Sequence, residues 1–227
     1  MKWKGTLVGT ASGSVGGNTF SHNRGGQYVR LRAIPVNPNS SQQQAVRNAM
    51  VALTGNWVTS LTNAQRDSWA AYAQAVPIVD SLGDPRNIGA LPMYLRNNTP
   101  RLQAGLTSVA TAPSQLVMGT LTPPVATGVA STGIASVTFT NTDQWATAVG
   151  GALLMYFSRG HSPTRTANQG GYRYAFRVNG AVSPPTSPQT GTMPFSVVAG
   201  QRVFWQARAV TADGKLTGEV KGSFLAS

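Results

Sequence analysis

The sequence contains no cysteine, which excludes disulfide bonds, thiolate catalysis and every metal site built on cysteine. With only two histidines, His22 and His161, no zinc-ligand spacing can be assembled either. No apolar run approaches the roughly 20 residues of a membrane span. Glycines interrupt the chain soon after the basic residues Lys2 and Lys4, so we expect no signal peptide and synthesis in the cytoplasm.

Acidic residues are scarce: the chain has 6 of them against 18 basic residues, a net charge of +12. The first acid is Asp67, so residues 1–66 carry only positive charge. Such an excess predicts contact with a polyanion or with an acidic protein surface. Charged residues make up only 11% of the chain, well below the roughly 25% of typical soluble domains. A neutral polar surface suits permanent packing against other subunits, and it also suits a β-rich domain with a Thr/Ser surface.

Groups that could perform catalysis are few. Asp80 and Asp84 are the two acids close together in sequence, but both lie beside turn formers, which favours a loop-stabilising role. His22 and His161 fall in Gly/Ser/Arg-rich contexts that predict loops rather than an element able to aim them. No phosphate-binding glycine motif and no nucleophile elbow occurs. We therefore predict no catalytic residue, no cofactor and no metal, and a protein that is not an enzyme.

The first part of the chain, residues 1–38, is basic and glycine-rich. Val29 and Leu31 alternate with Arg30 and Arg32, and this period of two predicts a strand with one apolar and one cationic face. The glycine-rich stretch before it cannot build a core alone. It predicts an extended N-terminal arm that needs a neighbour.

Residues 39–104 show helical signals. Ser40 with Gln43, and Thr62 with Gln65, fit capping boxes at two helix starts. Apolar residues recur at helical spacing in two stripes: Val46, Met50, Leu53 and Trp57, then Trp69, Tyr72, Ala73 and Val76. The short connection between them predicts an antiparallel helical hairpin.

A third, short helix is expected to begin at Pro92. Residues 105–122 are rich in Thr, Ser, Ala and Pro and are interpreted as a linker. Residues 123–227 show about seven short strand patterns with turn punctuation, among them the continuous apolar run Ala152–Phe157 and the hairpin signal Asp213-Gly214. The fold class that follows is α+β: a basic β arm and a helical hairpin, followed by an antiparallel β-sandwich of immunoglobulin or fibronectin type III kind. A small barrel is the alternative.

The front half also carries residues in a characteristic order. They are Ser12-Gly13, Gly16-Gly17, Phe20-Ser21, Asn23–Tyr28, Arg30, Arg32, Pro35 and Asn37-Pro38, then Gln42–Gln44, Arg47, Trp57, Leu61-Thr62, Gln65-Arg66, Trp69 and Tyr72. Over about residues 10–100 this order resembles uncharacterised proteins encoded by tailed phages and prophages. The resemblance implies a virion setting and assigns no residue a catalytic role.

These observations predict a non-catalytic virion structural protein. It would dock onto or within a phage particle, as capsid decoration or cement or as a head–tail or tail component, through its N-terminal arm and helices. We expect its partners to be copies of itself in a homo-oligomer, phage capsid or tail proteins, or both, with packaged DNA as a further candidate contact and no membrane contact.

The contact residues predicted for the arm are Phe20, Arg24, Tyr28, Arg30 and Arg32. Two alternatives stay open. A nucleic-acid-binding protein would place the basic front on phosphates. A carbohydrate-binding surface module would use exposed aromatic residues of the sandwich, with Trp145 and Trp205 as candidates.

Overall fold

The structure, a computed structural model, describes residues 2–3, 11–23, 26–79, 84–168 and 170–227. Two compact units make up the chain, Met1–Ser41 and Gln42–Ser227. A small N-terminal antiparallel sheet, three helices and further antiparallel sheets follow one another, which confirms the mixed α+β class. Among the helices of the described residues, none combines the length and apolarity needed to cross a membrane.

The N-terminal unit is a four-stranded antiparallel sheet with the strand order β1-β4-β3-β2. Its strands are β1 (Lys2–Trp3), β2 (Gly13–Val15), β3 (Asn18–Asn23) and β4 (Gly26–Leu31). The strand predicted from the alternation of apolar and cationic residues is β4. The glycine-rich stretch, expected as an extended arm, instead supplies β2 and a tight turn in which Gly16 has a φ of 56°, a conformation that glycine adopts without strain.

Three helices follow: α1 (Ser41–Thr59), α2 (Asn63–Ala75) and α3 (Ala90–Gln103). Two short strands, β5 (Ile78–Val79) and β6 (Pro85–Arg86), pair with each other between α2 and α3. The second predicted capping box is confirmed: the Gln65 N–H donates to Thr62 Oγ1 at 3.3 Å, and the Thr62 N–H donates to Gln65 Oε1 at 2.9 Å.

The helices share one apolar core. Its buried residues are Leu53, Leu61, Trp69, Tyr72, Ala73, Val76, Met93, Tyr94 and Ala112. The second predicted stripe is wholly buried, but the first is buried only at Leu53, while Met50 stays 45% exposed. The closest helix pair is α2 with α3 rather than the predicted α1–α2 hairpin. The reason is that α3 brings large residues to the core, as the edge-on contact of Tyr94 with Trp69 shows, at 5.5 Å between ring centroids.

Helix α3 begins earlier and runs longer than predicted. Gly89 is its N-cap, and Pro92 is therefore its third residue, not its first. Proline is tolerated there because the first N–H groups of a helix have no intrahelical acceptor. The next residue, Met93, makes the first helical hydrogen bond, from its N–H to the Gly89 carbonyl at 3.0 Å.

The C-terminal half holds two further antiparallel sheets. Their strands are β7 (Val125–Val129), β8 (Ile134–Thr138), β9 (Ala152–Phe157), β10 (Arg173–Asn179), β11 (Gln189–Thr192), β12 (Arg202–Val210) and β13 (Val220–Leu225). One sheet has the order β11-β8-β7 and the other the order β10-β9-β12-β13. The apolar run at 152–157 and the alternating patterns around 135, 175 and 206 all lie in these strands, as predicted.

One apolar core joins the two sheets, and a second covers the opposite face of the larger sheet. The first includes Val137 from β8 with Met155 and Phe157 from β9. In the second, Leu154 of β9 packs with Ala104, the C-cap residue of α3. Strand β9 is thus buried on both faces, which explains why its sequence is continuously apolar instead of alternating.

The predicted turn at Asp213-Gly214 is confirmed. It connects β12 to the segment that leads into β13. The Thr211 N–H donates to the Lys215 carbonyl at 3.0 Å, and Gly214 has a φ of 93°. The residue after the hairpin turn, Lys215, is 2% exposed and donates through Nζ to Gln115 Oε1 at 2.9 Å.

Candidate docking surface

The register of the N-terminal sheet divides its side chains between two faces. Ser14 lies opposite Thr19, and Thr19 lies opposite Arg30. The hydroxyls of Ser14 and Thr19 are 2.9 Å apart, which places them on the same side. Directly opposed residues of neighbouring strands lie on the same face, and side chains alternate between the two faces along a strand. Ser21 and Tyr28 pair with each other two residues from Thr19 and Arg30, so they lie on the same face as those residues. This face is polar and basic.

The opposite face of the sheet carries its apolar side chains, among polar ones such as Asn18 and His22. Phe20 pairs with Val29, and Leu31 lies opposite Asn18, which in turn pairs with Val15. Val15 is 73% exposed and Leu31 is 81% exposed. Of the residues described between positions 11 and 41, none is buried. The sheet therefore presents an apolar face to solvent without a core beneath it.

The predicted contact residues fall on both faces. Phe20 belongs to the apolar face, whereas Tyr28 and Arg30 belong to the basic face. Arg32 follows β4 directly; its side chain is exposed and its N–H donates to the Gly17 carbonyl at 2.8 Å. Arg24 lies outside the described residues. Phe20 therefore lies on the side of the sheet opposite to Tyr28 and Arg30.

The histidines and acids form no reactive constellation in the described part of the chain. His22 lies in β3 opposite Gln27, not in a loop as expected. The His161 Nδ1 is 3.3 Å from the Arg165 guanidinium, and its ring packs 5.8 Å from Phe204. Asp80 lies outside the described residues. Within the described ranges, no group of three His, Asp or Glu side chains lies close enough together to hold a metal ion.

The tryptophans proposed as sugar platforms are core residues. Trp145 is fully buried and Trp205 is 6% exposed. Phe139 meets Trp145 at 5.2 Å between ring centroids, and both tryptophans belong to the core shared by the two sheets. Neither ring presents a face to a ligand, so this version of the carbohydrate hypothesis is wrong.

Sequence reasoning missed a set of buried polar residues on α3. Asn97 donates to the Gly214 carbonyl at 2.9 Å. Asn98 accepts the Val109 N–H at 2.7 Å and donates to the Val109 carbonyl at 3.2 Å. Arg101 donates to the Thr211 carbonyl at 2.6 Å. The bonds of Asn97 and Arg101 fix α3 to the turn between β12 and β13, and those of Asn98 fix it to the segment that follows the helix. Burial lowers the pKa of Arg101, an effect that the charge of Asp213 opposes.

Comparison of the chain with protein-family models, with curated proteins and with solved structures gave no match. The most distinctive exposed feature of the chain is the N-terminal sheet, which has unlike faces and no buried residue among those whose exposure is described.

Proposed function

We propose that this chain is a non-catalytic structural protein of a phage particle, acting as capsid decoration or cement or as a head–tail or tail component. The observation that carries the proposal is the N-terminal sheet, whose apolar face is exposed and whose other face is basic. The virion setting rests on the resemblance of residues 10–100 to tailed-phage proteins.

An exposed apolar face favours association. Burying a side chain such as Leu31 or Val15 is worth roughly 1.5–3 kcal/mol relative to leaving it in water. Strand β2 (Gly13–Val15) is also an edge strand, because it lies last in the order β1-β4-β3-β2. An edge strand offers unpaired backbone groups to which a neighbouring subunit can add a strand. We infer that apolar packing and β-augmentation together attach the sheet to another subunit.

The basic face suits an acidic protein surface. Residues 1–41 hold five basic residues, Lys2, Lys4, Arg24, Arg30 and Arg32, and no acid. Opposite charges across an interface accelerate encounter and select the partner more than they add affinity. The two faces would therefore have separate roles, adhesion for one and partner selection for the other.

For residues 123–227 we propose a β-sandwich of immunoglobulin or fibronectin type III kind. The support is seven strands divided three and four between sheets that share one core. Successive strands also change sheet, from β8 to β9, from β10 to β11 and from β11 to β12, as in Greek-key connections. Such a module would be displayed on the particle.

The test is the mass of the purified chain in solution, measured by light scattering, for the full chain, a chain lacking residues 1–36, and two point variants. Leu31→Asp places a charge on the apolar face, and Val182→Asp makes the same change at a residue that is 84% exposed outside the sheet. We expect a defined oligomer for the full chain and for Val182→Asp, and monomers for the other two. An oligomer that survives Leu31→Asp would exclude this face as the interface. If all four are monomers, self-assembly through the sheet is rejected.

Nucleic-acid binding is the second candidate, favoured by the position of Arg30 and Tyr28 on one face. Each phosphate neutralised contributes about 0.9 to the slope of log affinity against log salt. Five basic residues therefore limit the slope to about −4.5, and Arg30→Gln should reduce its magnitude by about 0.9. Titration of duplex DNA of unrelated sequences at several salt concentrations tests this candidate. A salt-independent affinity would reject it.

A further inference from the structure

A groove of about 710 Å³ lies within the second unit, on the side of the larger sheet that faces the helices. Val46 and Met50 of α1 and Leu95 of α3 give it an apolar wall. Arg96 of α3, with Gln206 and Arg208 of β12, gives it a polar wall. Its size and its mixture of apolar surface with a few polar groups are those of a ligand site.

The polar wall carries an excess of positive charge. Arg208 pairs with Glu219 at 2.8 Å, and Lys221 pairs with the other oxygen of the same carboxylate, also at 2.8 Å. Arg96 forms no ion pair with any carboxylate in the described part of the chain. Arg208 and Lys221 thus share one carboxylate, and Arg96 has none of its own among the described residues.

The guanidinium groups of Arg96 and Arg208 are not fully hydrogen-bonded within the described part of the chain. The Nε of Arg208 is buried and has no acceptor. Arg96 is half-buried, and its contact with Asn97 Oδ1 is long, at 3.4 Å. Burial lowers the pKa of Arg96, and the charge of Arg208 lowers it further. A bound anion would accept hydrogen bonds from the half-buried Arg96 guanidinium and would relieve the repulsion between the two arginines.

We propose that this groove binds an acidic, partly apolar peptide segment of a partner protein, with a carboxylate at Arg96 and Arg208 and apolar side chains against Val46, Met50 and Leu95. Charge complementarity selects an acidic occupant, and the apolar wall selects a peptide over a saccharide. The basic N-terminal segment of another copy would be repelled. This interaction is separate from the proposed role of the N-terminal sheet and does not depend on it.

The experiment uses two fluorescent probes of similar aromatic body and different charge, titrated against the full chain. They are 8-anilinonaphthalene-1-sulfonate, an anion, and N-phenyl-1-naphthylamine, which is neutral. We expect saturable binding of the anion that is at least about tenfold tighter than binding of the neutral probe, since hydrogen bonds to charged groups are the stronger kind. An acidic Leu/Glu octapeptide should displace the anion, and the matching Leu/Lys octapeptide should not.

Removing a positive charge and removing the negative charge at the groove should have opposite effects on the affinity for the anion. Arg96→Gln should weaken anion binding about tenfold, whereas Glu219→Gln should strengthen it about two- to fivefold by releasing Arg208. Arg86→Gln removes the same charge at an exposed residue of β6, outside the groove, and should change nothing. Thermal unfolding of each variant identifies any loss of the folded state.

Each outcome decides the proposal. Equal affinity for the two probes, or an anion affinity that is unchanged in folded Arg96→Gln, would overturn the site. Anion binding that resists the acidic octapeptide would overturn the peptide as occupant and leave a site for small apolar anions. Displacement by the acidic peptide alone, with the expected order of the variants, supports the proposal as stated.

Discussion

The hydrogen bonds of Arg101 predict a large effect of a single substitution. Its side chain is 2% exposed, and its guanidinium donates to the Thr211 carbonyl at 2.6 Å and to the Thr107 carbonyl at 3.0 Å. Arg101→Met keeps much of the apolar stem and removes both bonds. Hydrogen bonds from charged donors are worth about 1.5–3 kcal/mol each, and relief of the buried charge offsets part of the loss. We expect the free energy of unfolding to fall by about 3 kcal/mol.

Urea unfolding followed by far-UV circular dichroism measures this change. With a denaturant slope of about 2–3 kcal/mol/M for a chain of this size, the midpoint should fall by roughly 1–1.5 M. Arg86→Met is the matched control, because Arg86 is exposed, and its midpoint should change by less than about 0.3 M. A loss below about 1 kcal/mol for Arg101→Met would contradict this expectation. It would mean that apolar packing alone holds α3 against the β12–β13 hairpin.

Three further predictions concern stability. A Cβ on Gly151 would overlap the Trp145 carbonyl, so Gly151→Ala should lower the free energy of unfolding by at least about 2 kcal/mol in urea titration. Gly55, inside α1, has open space around it, so Gly55→Ala should raise the stability by about 0.5–1 kcal/mol in the same assay, and a decrease would contradict the helix assignment. Burial raises the pKa of Tyr156 to about 12 from an ordinary value of 10.0, so the unfolded state loses its proton first as the pH rises. The contribution of Tyr156 to stability should therefore be constant below pH 10 and fall by roughly 2–3 kcal/mol between pH 10 and 12, and Tyr156→Phe should remove that part of the fall.

Local signals predicted most of the elements. The capping box at Thr62 and the apolar run of β9 depend on residues that are neighbours in sequence, and both were found where the pattern placed them. The partners of these elements were harder to predict. Nothing near α1 in sequence shows that α2 packs more closely on α3, because that choice depends on the volume of Tyr94 and Met93, which the chain reaches only after β5 and β6.

The same limit applies to the surfaces. The alternation around Arg30 predicted two faces for one strand, but the extent of the apolar face emerges only when Val15 and Phe20 are paired to it. The groove was not predictable at all, since Met50, Leu95 and Arg208 come from three distant segments. The exposure of Met50 breaks the helical stripe, and this departure from the pattern coincides with the wall of the groove.

The charge balance of the chain connects the two proposed surfaces. With 18 basic and 6 acidic residues, the chain cannot neutralise its cations with its own carboxylates. Glu219 already serves both Arg208 and Lys221, while Asp213 pairs with the buried Lys215 at 3.5 Å. A second copy of the chain can cover the apolar face around Leu31, but it brings more cations than anions to the basic face and to the groove. An assembly of this chain alone should therefore grow stronger as added salt screens the repulsion, whereas attachment to an acidic partner should weaken over the same range.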